Sequence, residues 1–221
     1  MRSWLGEHRN SSGRLYDRIR ETRGMNYGDY AYIEYFPNGM FLMKPLPNYA
    51  RRNDLFQVWL RPLRDNNDAV FATRVALYEL DRLVRQGLTA EQFEASRSFL
   101  HKYAAQLTAT SALVLGYSLD SRYYGTADFV DYVRSGLDAL TLDQVNAAIR
   151  RHLRAERVQF VFVSKDAQGL AGLLASGKPT PITYNTEKPK ALLDEDAVIA
   201  KWPLQLRKAD IRIVKDSEVF E

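Results

Sequence analysis

The sequence predicts an α+β domain in which helices pack on one face of an antiparallel sheet. Three observations predict it. Aromatic and β-branched stretches come early, at 29–36 and 55–60. A long block with helical spacing of apolar residues follows, from Asp65 to Leu153. An alternating apolar stretch returns at Arg157–Ser164. Strands first, helices next and a strand last is the order of an α+β chain rather than of alternating βαβ units.

Each element has a local reason. Ser11 and Ser12 are N-cap candidates for a helix with Leu15 and Ile19 on one face and Tyr16 beside them. Gly24 and Asn26 stop it. Asp29–Phe36 alternates as a strand, Pro37-Asn38-Gly39 is a turn, and Met40–Met43 returns as the second strand of a hairpin. Asn48–Asn53 is a basic polar loop, and Leu55–Leu60 is a further strand closed by Pro62. The first long helix spans Asp65–Gln86, with Val70, Ala76, Leu77, Leu80, Leu83 and Val84 near helical spacing and Gly87 after its end. Thr89 with Gln92 is a capping box that opens a helix toward Leu107. Less regular helical segments follow at Ser111–Leu119 and from Thr126 to Leu137. Thr141 with Gln144 repeats the capping box and opens a helix to Leu153. Arg157–Ser164 reads as a strand, Asp166–Ala175 as a short helix, and Pro179–Tyr184 as an edge strand. From Thr186 the pattern weakens, and Lys188-Pro-Lys190 and Asp194-Glu-Asp196 surround short apolar pieces. This end reads as an extension that packs on something, or as a partly mobile tail. The division expected is a domain over 1–185 and an extension over 186–221.

Composition narrows the function classes. A chain of 221 residues, 46% hydrophobic and 26% charged, can bury a core without covalent staples. It has no Cys, which excludes disulfides and thiolate metal sites. Met1–Ser12 is polar and lacks the apolar core of a secretory leader. No apolar run approaches the roughly 20 residues of a membrane-spanning helix. The net charge of +4 permits an anionic partner without requiring one, so no nucleic-acid partner is expected.

The usual catalytic sets are incomplete. His8, His101 and His152 show no i, i+4 pairing and no zinc-helix pattern with Glu. His152 lies in Arg150-Arg-His-Leu-Arg154, cations that either complement a helix C-terminus or form an anion-binding patch with Arg151. There is no phosphate loop and no Gly-x-Ser-x-Gly. One stretch stands apart. In Arg20-Glu-Thr-Arg-Gly-Met-Asn-Tyr27 a glycine turn can fold Arg20 and Tyr27 toward one space. A guanidinium and a phenol are donors suited to a developing oxyanion or a peptide carbonyl. On chemistry alone two readings stay open: that donor pair, or an Arg20 bound to a nearby carboxylate with Tyr27 capping a core.

The run Ser11-Ser-Gly-Arg-Leu-Tyr-Asp-Arg-Ile-Arg-Glu-Thr-Arg-Gly-Met-Asn-Tyr27 resembles the insulinase/pitrilysin family of zinc peptidases, the inverzincins. The order of the later segments agrees over about residues 5–175, including Ser118–Gly125 and the helix opened by Thr141 with Val145. The resemblance is to the non-catalytic half of such a peptidase. It implies repeated α+β domains in two facing halves, one with His-x-x-Glu-His holding zinc, the other giving an arginine and a tyrosine to the substrate. These map to Arg20 and Tyr27 in support roles. The chain carries no His-x-x-Glu-His, so the resemblance implies no cofactor here, zinc in a partner half, and a peptide substrate between them. It further implies a domain that lacks its first strand and helix, and, in a bacterium, a periplasmic setting. A scaffold or assembly domain of the same fold, and an anion-binding module using Arg150, Arg151 and Arg154, are the alternatives.

Overall fold

Helix α2, Asn66–Gln86, is the axis on which the other elements are arranged. The structure is a computed structural model and describes residues 1–6, 13–32, 46–48 and 55–219. The side chain of Asp65 starts α2 by accepting from the Asp68 amide at 2.9 Å, and Gly87 ends it at φ 73°. Apolar side chains occupy more than one face of α2, so it is buried nearly all round. Phe71, Ala72 and Val75 pack with Leu5, Leu15, Ile19, Ala31 and Ile199. Leu77, Leu80 and Leu83 pack with Leu88, Ile149 and Leu153. Val70 packs with Leu170 and Leu174.

The other helices are α1 (Arg2–Gly6), α3 (Ala90–Tyr103), α4 (Ser111–Tyr124), α5 (Phe129–Ala139), α6 (Leu142–His152), α7 (Ala167–Ser176) and α8 (Lys190–Ile199). Both capping boxes form as the sequence predicts, Thr89 with Gln92 and Thr141 with Gln144. Asn146 of α6 clips the corner between α2 and α3. Its Oδ1 accepts from the Leu88 amide at 2.8 Å and its Nδ2 donates to the Leu88 carbonyl at 3.1 Å.

Strand β1, Gly28–Tyr32, pairs antiparallel with β2, Gln57–Arg61, in a register from Gly28 opposite Arg61 to Tyr32 opposite Gln57. All five residues of β1 are buried. Helix α1 lies so close to β1 that a Cβ on Gly6 would sit 3.0 Å from the Ala31 amide nitrogen. The fold is therefore α+β, with helices packed on an antiparallel sheet. The expected hairpin partner Met40–Met43, the turn before it, Ser11, Ser12 and His8 lie outside the described residues.

Two expectations need correction. Among the described residues Arg157–Ser164 pairs with no strand of a sheet. Its alternation is real: Phe160 and Phe162 pack inward, while Val161 and Val163 are 86% and 101% exposed. Alternation reports which side chains are buried; a strand also needs a neighbouring backbone, and none of the described strands pairs here. Pro179–Tyr184 forms no edge strand either, because its polar groups turn elsewhere. The Thr180 amide donates to the Ala200 carbonyl at 3.0 Å, and Asn67 Nδ2 donates to the Pro181 carbonyl at 3.0 Å. The helix expected around Leu15 and Ile19 forms with both side chains buried, but most of it is π-helical. After Arg14 and Leu15, Tyr16–Glu21 forms a π-helical turn.

Residues beyond Thr186, read from sequence as an extension, include α8, whose Ile199 is fully buried beside Phe71 and Val75. Buried Arg74 of α2 holds this end: it donates to Thr180 Oγ1 at 2.8 Å, to the Lys178 carbonyl at 3.0 Å and to the Ala200 carbonyl.

A second tie is ionic. Glu79 of α2, 1% exposed, accepts from Arg14 Nε and Arg18 Nε at 2.8 Å each. Arg18 and Arg23 also reach Glu195 of α8, the latter at 2.9 Å, and Arg23 Nε donates to Asp196 Oδ1 at 2.9 Å. Burial alone would raise the Glu195 carboxyl, but the two arginines hold it below its ordinary value. Burial, then the bond it donates to Asp196, pushes the Tyr184 phenol up. Removing one partner of such a set strands buried charge. Glu79→Ala is therefore expected to lower the unfolding free energy by about 3–5 kcal/mol in denaturant titration. A loss under about 1 kcal/mol would place that carboxylate in the range of an exposed pair instead.

Candidate functional site

The π turn decides which side chains face out. Arg14 and Arg23 are nine residues apart in sequence, about 2.5 turns of an α-helix, which would point them to opposite sides. The i→i+5 ladder adds a residue to the turn, seen in the Thr22 amide donating to the Asp17 carbonyl at 2.8 Å. With it, Arg14, Arg18 and Arg23 all reach the buried acids. Tyr16 and Arg20 are then left on the other side, four residues apart.

Gly24 reverses the chain at φ 64°. Its amide donates to the Arg20 carbonyl at 2.7 Å, and the Met25 amide donates to the Ile19 carbonyl at 3.2 Å. These resemble helix-capping bonds, each one residue longer because the turn is π. The returning chain carries Tyr27 back over Arg20. Arg20 Nη1 donates to the Tyr27 carbonyl at 3.2 Å. The guanidinium carbon lies 4.7 Å from the ring centroid of Tyr16 and 4.7 Å from that of Tyr27. A cation held over two aromatic faces keeps its charge while its orientation is fixed. Of the two sequence readings, a core-capping Tyr27 is not what is seen, since it is 70% exposed. The carboxylate beside Arg20, that of Glu21, stands 3.8 Å from Nε. The glycine turn does bring Arg20 and Tyr27 together.

Three further residues belong to this site and escaped the sequence reading of it. Tyr16 supplies the second ring; its place four residues before Arg20 was a usable signal. Burial, then a hydrogen bond with Glu21, raises its phenol above the ordinary value, so it stays protonated. Asp29, 1% exposed, enters β1 two residues after Tyr27. Asn26 Nδ2 donates to Asp29 Oδ1 at 2.5 Å and lies 3.5 Å from the Gly28 carbonyl. Burial lifts the Asp29 carboxyl to about 7, against the opposing pull of the Asn26 hydrogen bond and the Arg20 charge. Asp29 Oδ2 and Asn26 Oδ1 are buried without a hydrogen-bond partner. A carboxylate opening an aromatic strand was the signal for Asp29; Asn26 was marked only as a stop to the helix before it.

His101 and His152 do not fit a metal. His101 Nε2 of α3 lies 3.8 Å from Asp138 Oδ1, and His152 is the last residue of α6. Among the described residues no three His, Cys, Asp or Glu side chains are grouped to hold an ion. Arg154 turns back to donate to the carbonyls of Arg150 and Leu153, the second at 3.3 Å, so it caps the end of α6. Among the described residues no helix is long and apolar enough to cross a membrane.

The chain matches no protein-family model and no curated protein. Its fold is similar to that of the crystal structure of a peptidase M16 inactive domain from Pseudomonas fluorescens, with a TM-score of 0.52 and 18% sequence identity. The likeness covers 70% of this chain and 33% of that one, so this chain spans about a third of its length. At that identity the shared property is the fold.

Asp29 also gives stability a sign with pH. In the unfolded chain its carboxyl returns to near 3.8. Between that value and about 7 the folded state holds a proton that the unfolded state releases. Its contribution is fully present below about 4 and is lost as pH rises through about 7. The difference between the chain and Asp29→Asn should therefore change by a few kcal/mol over that window in denaturant unfolding. Parallel pH profiles for the two would contradict the placement of Asp29.

Proposed function

We propose that this chain is the non-catalytic part of a zinc metallopeptidase. It closes over a zinc-bearing half, holds an extended peptide, and supplies Arg20 and Tyr27 to the scissile carbonyl. The observation that carries this reading is the guanidinium of Arg20 stacked 4.7 Å from both the Tyr16 and Tyr27 rings on an outward-facing turn. The fold likeness to a peptidase domain described as inactive supports it, as does the resemblance of the 11–27 run.

The chemistry asked of this chain is electrostatic. When a peptide carbonyl is attacked, its oxygen gains negative charge. A fixed cation and a phenolic O–H aimed at that oxygen favour the charged state over the starting amide, which is what accelerates the step. The cation needs little reorganisation because Arg20 is held by two rings and by the Tyr27 carbonyl. The zinc and its bound water belong to the facing half, since this chain carries no His-x-x-Glu-His.

Loss of one transition-state donor costs about a hundredfold or more in kcat. In the assembled enzyme, Tyr27→Phe should therefore lower kcat by about a hundredfold, with KM changed little and zinc content unchanged. Turnover near that of the parent, with assembly intact, would remove Tyr27 from the mechanism and leave the chain as a scaffold.

A further inference from the structure

We propose that Asn26 and Asp29 share a proton as an acid–amide pair, and that this pair is the positioning device fixing the loop that presents Tyr27 to Arg20. The value of that loop rests on the reading above; the pair itself does not.

An ionised carboxylate only accepts, whereas an asparagine side chain offers two N–H donors and one carbonyl acceptor. The two side chains are already joined once, Asn26 Nδ2 to Asp29 Oδ1 at 2.5 Å. The atoms left over are one oxygen on each residue, Asn26 Oδ1 and Asp29 Oδ2, both buried and both without a partner. With Asp29 ionised these are two acceptors with nothing to accept. A single proton on Oδ2 turns one of them into a donor and gives the other its bond. The result is a two-bond ring, N–H to carboxyl oxygen and O–H to amide oxygen. Whichever way the Asn26 amide is turned, both orphans are satisfied only when the Asp29 carboxyl carries the proton.

The surroundings favour the protonated form. The elements packed against β1 carry Arg2 on α1, Arg61 on β2, and Asp17, Arg18, Arg20 and Glu21 on the π turn. Arg18 is committed to Glu79 and Glu195. Of these groups Arg20 is the one whose charge lowers the Asp29 carboxyl, and burial outweighs it. Among the described residues no cation reaches hydrogen-bonding distance of the Asp29 carboxyl.

Position gives the pair its consequence. Asn26 and Asp29 flank Tyr27 and Gly28, so joining their side chains closes the loop across its base. Tyr27's carbonyl, which accepts from Arg20, and its ring, which covers Arg20, both lie within the closed segment. Loss of the proton sets two acceptors against each other and leaves a buried anion near Arg20, which draws that cation from Tyr27. Asp29 thus acts through Tyr27 and does not itself contact a substrate.

The test uses the full chain with carboxyl-labelled aspartate, followed by carbon NMR from pH 3 to 9, together with amide hydrogen exchange at Tyr27 and Gly28. The expected result is one carboxyl titrating near 7, absent from Asp29→Asn, with exchange at Tyr27 about tenfold faster above that midpoint than below it after correction for base catalysis. Asp29→Asn should rescue the loop, because its amide gives an N–H to Asn26 Oδ1 in place of the proton. Its exchange at Tyr27 should stay slow at every pH. Titration of Asp29 with the ordinary carboxylates, or exchange that ignores the midpoint, would overturn the proposal. So would a folded Asp29→Asn with Tyr27 exchange as fast as the high-pH parent. If the variant does not fold, the titration and exchange of the parent chain decide alone. None of these readouts uses a peptide or a partner, so failure here is distinct from failure of the proposed function.

Discussion

The buried set of Arg14, Arg18 and Arg23 with Glu79, Glu195 and Asp196 is the constraint on which the rest of the site depends. Three cations meet three anions, and each group is out of full contact with water. Such sets add little net stability compared with apolar residues of the same volume, because desolvation offsets attraction. Their effect is on choice of structure. Any arrangement that leaves one of the six unpaired is heavily penalised, so the turn at Tyr16–Glu21 must adopt the pitch that brings all three arginines inward. That pitch is π, and it leaves Tyr16 and Arg20 outward. The same set joins the π turn to α2 and to α8, segments up to 177 residues apart in sequence.

Outward presentation alone would leave Arg20 and Tyr27 mobile. Gly24 sets the direction of return, the Arg20 side chain bonds the Tyr27 carbonyl, and two rings hold the guanidinium. The site is thus a cation and a phenol on a short, tied loop at the edge of a buried strand. A fold of this kind hosts more than one activity, so the functional reading rests on this geometry rather than on the architecture.

What could be read from sequence was whatever local chemistry decides. The capping boxes at Thr89 and Thr141, the stops at Gly24 and Gly87, and the course of α2 depend on residues within a turn of one another, and all are where the pattern puts them. The pairing of Arg20 with Tyr27 was legible for the same reason, a glycine between two residues seven apart. What was not legible depends on distant partners. The π turn answers to Glu79 and Glu195, which no local pattern links to Arg14 or Arg18. Arg157–Ser164 has the alternation of a strand because Phe160 and Phe162 pack inward, but a ladder partner is a property of another part of the chain. The signal at Asp29, a carboxylate opening an aromatic strand, says nothing of its burial, which packing by other elements decides.

Reconstitution decides whether this chain contributes to peptide cleavage. A quenched fluorescent peptide would be assayed with this chain alone, with a zinc-bearing half alone, and with the two combined. The account predicts cleavage in the mixture and none from this chain by itself. Binding between the two halves with no gain in cleavage over the zinc half alone would contradict it, and would leave Arg20 and Tyr27 as parts of a structural loop.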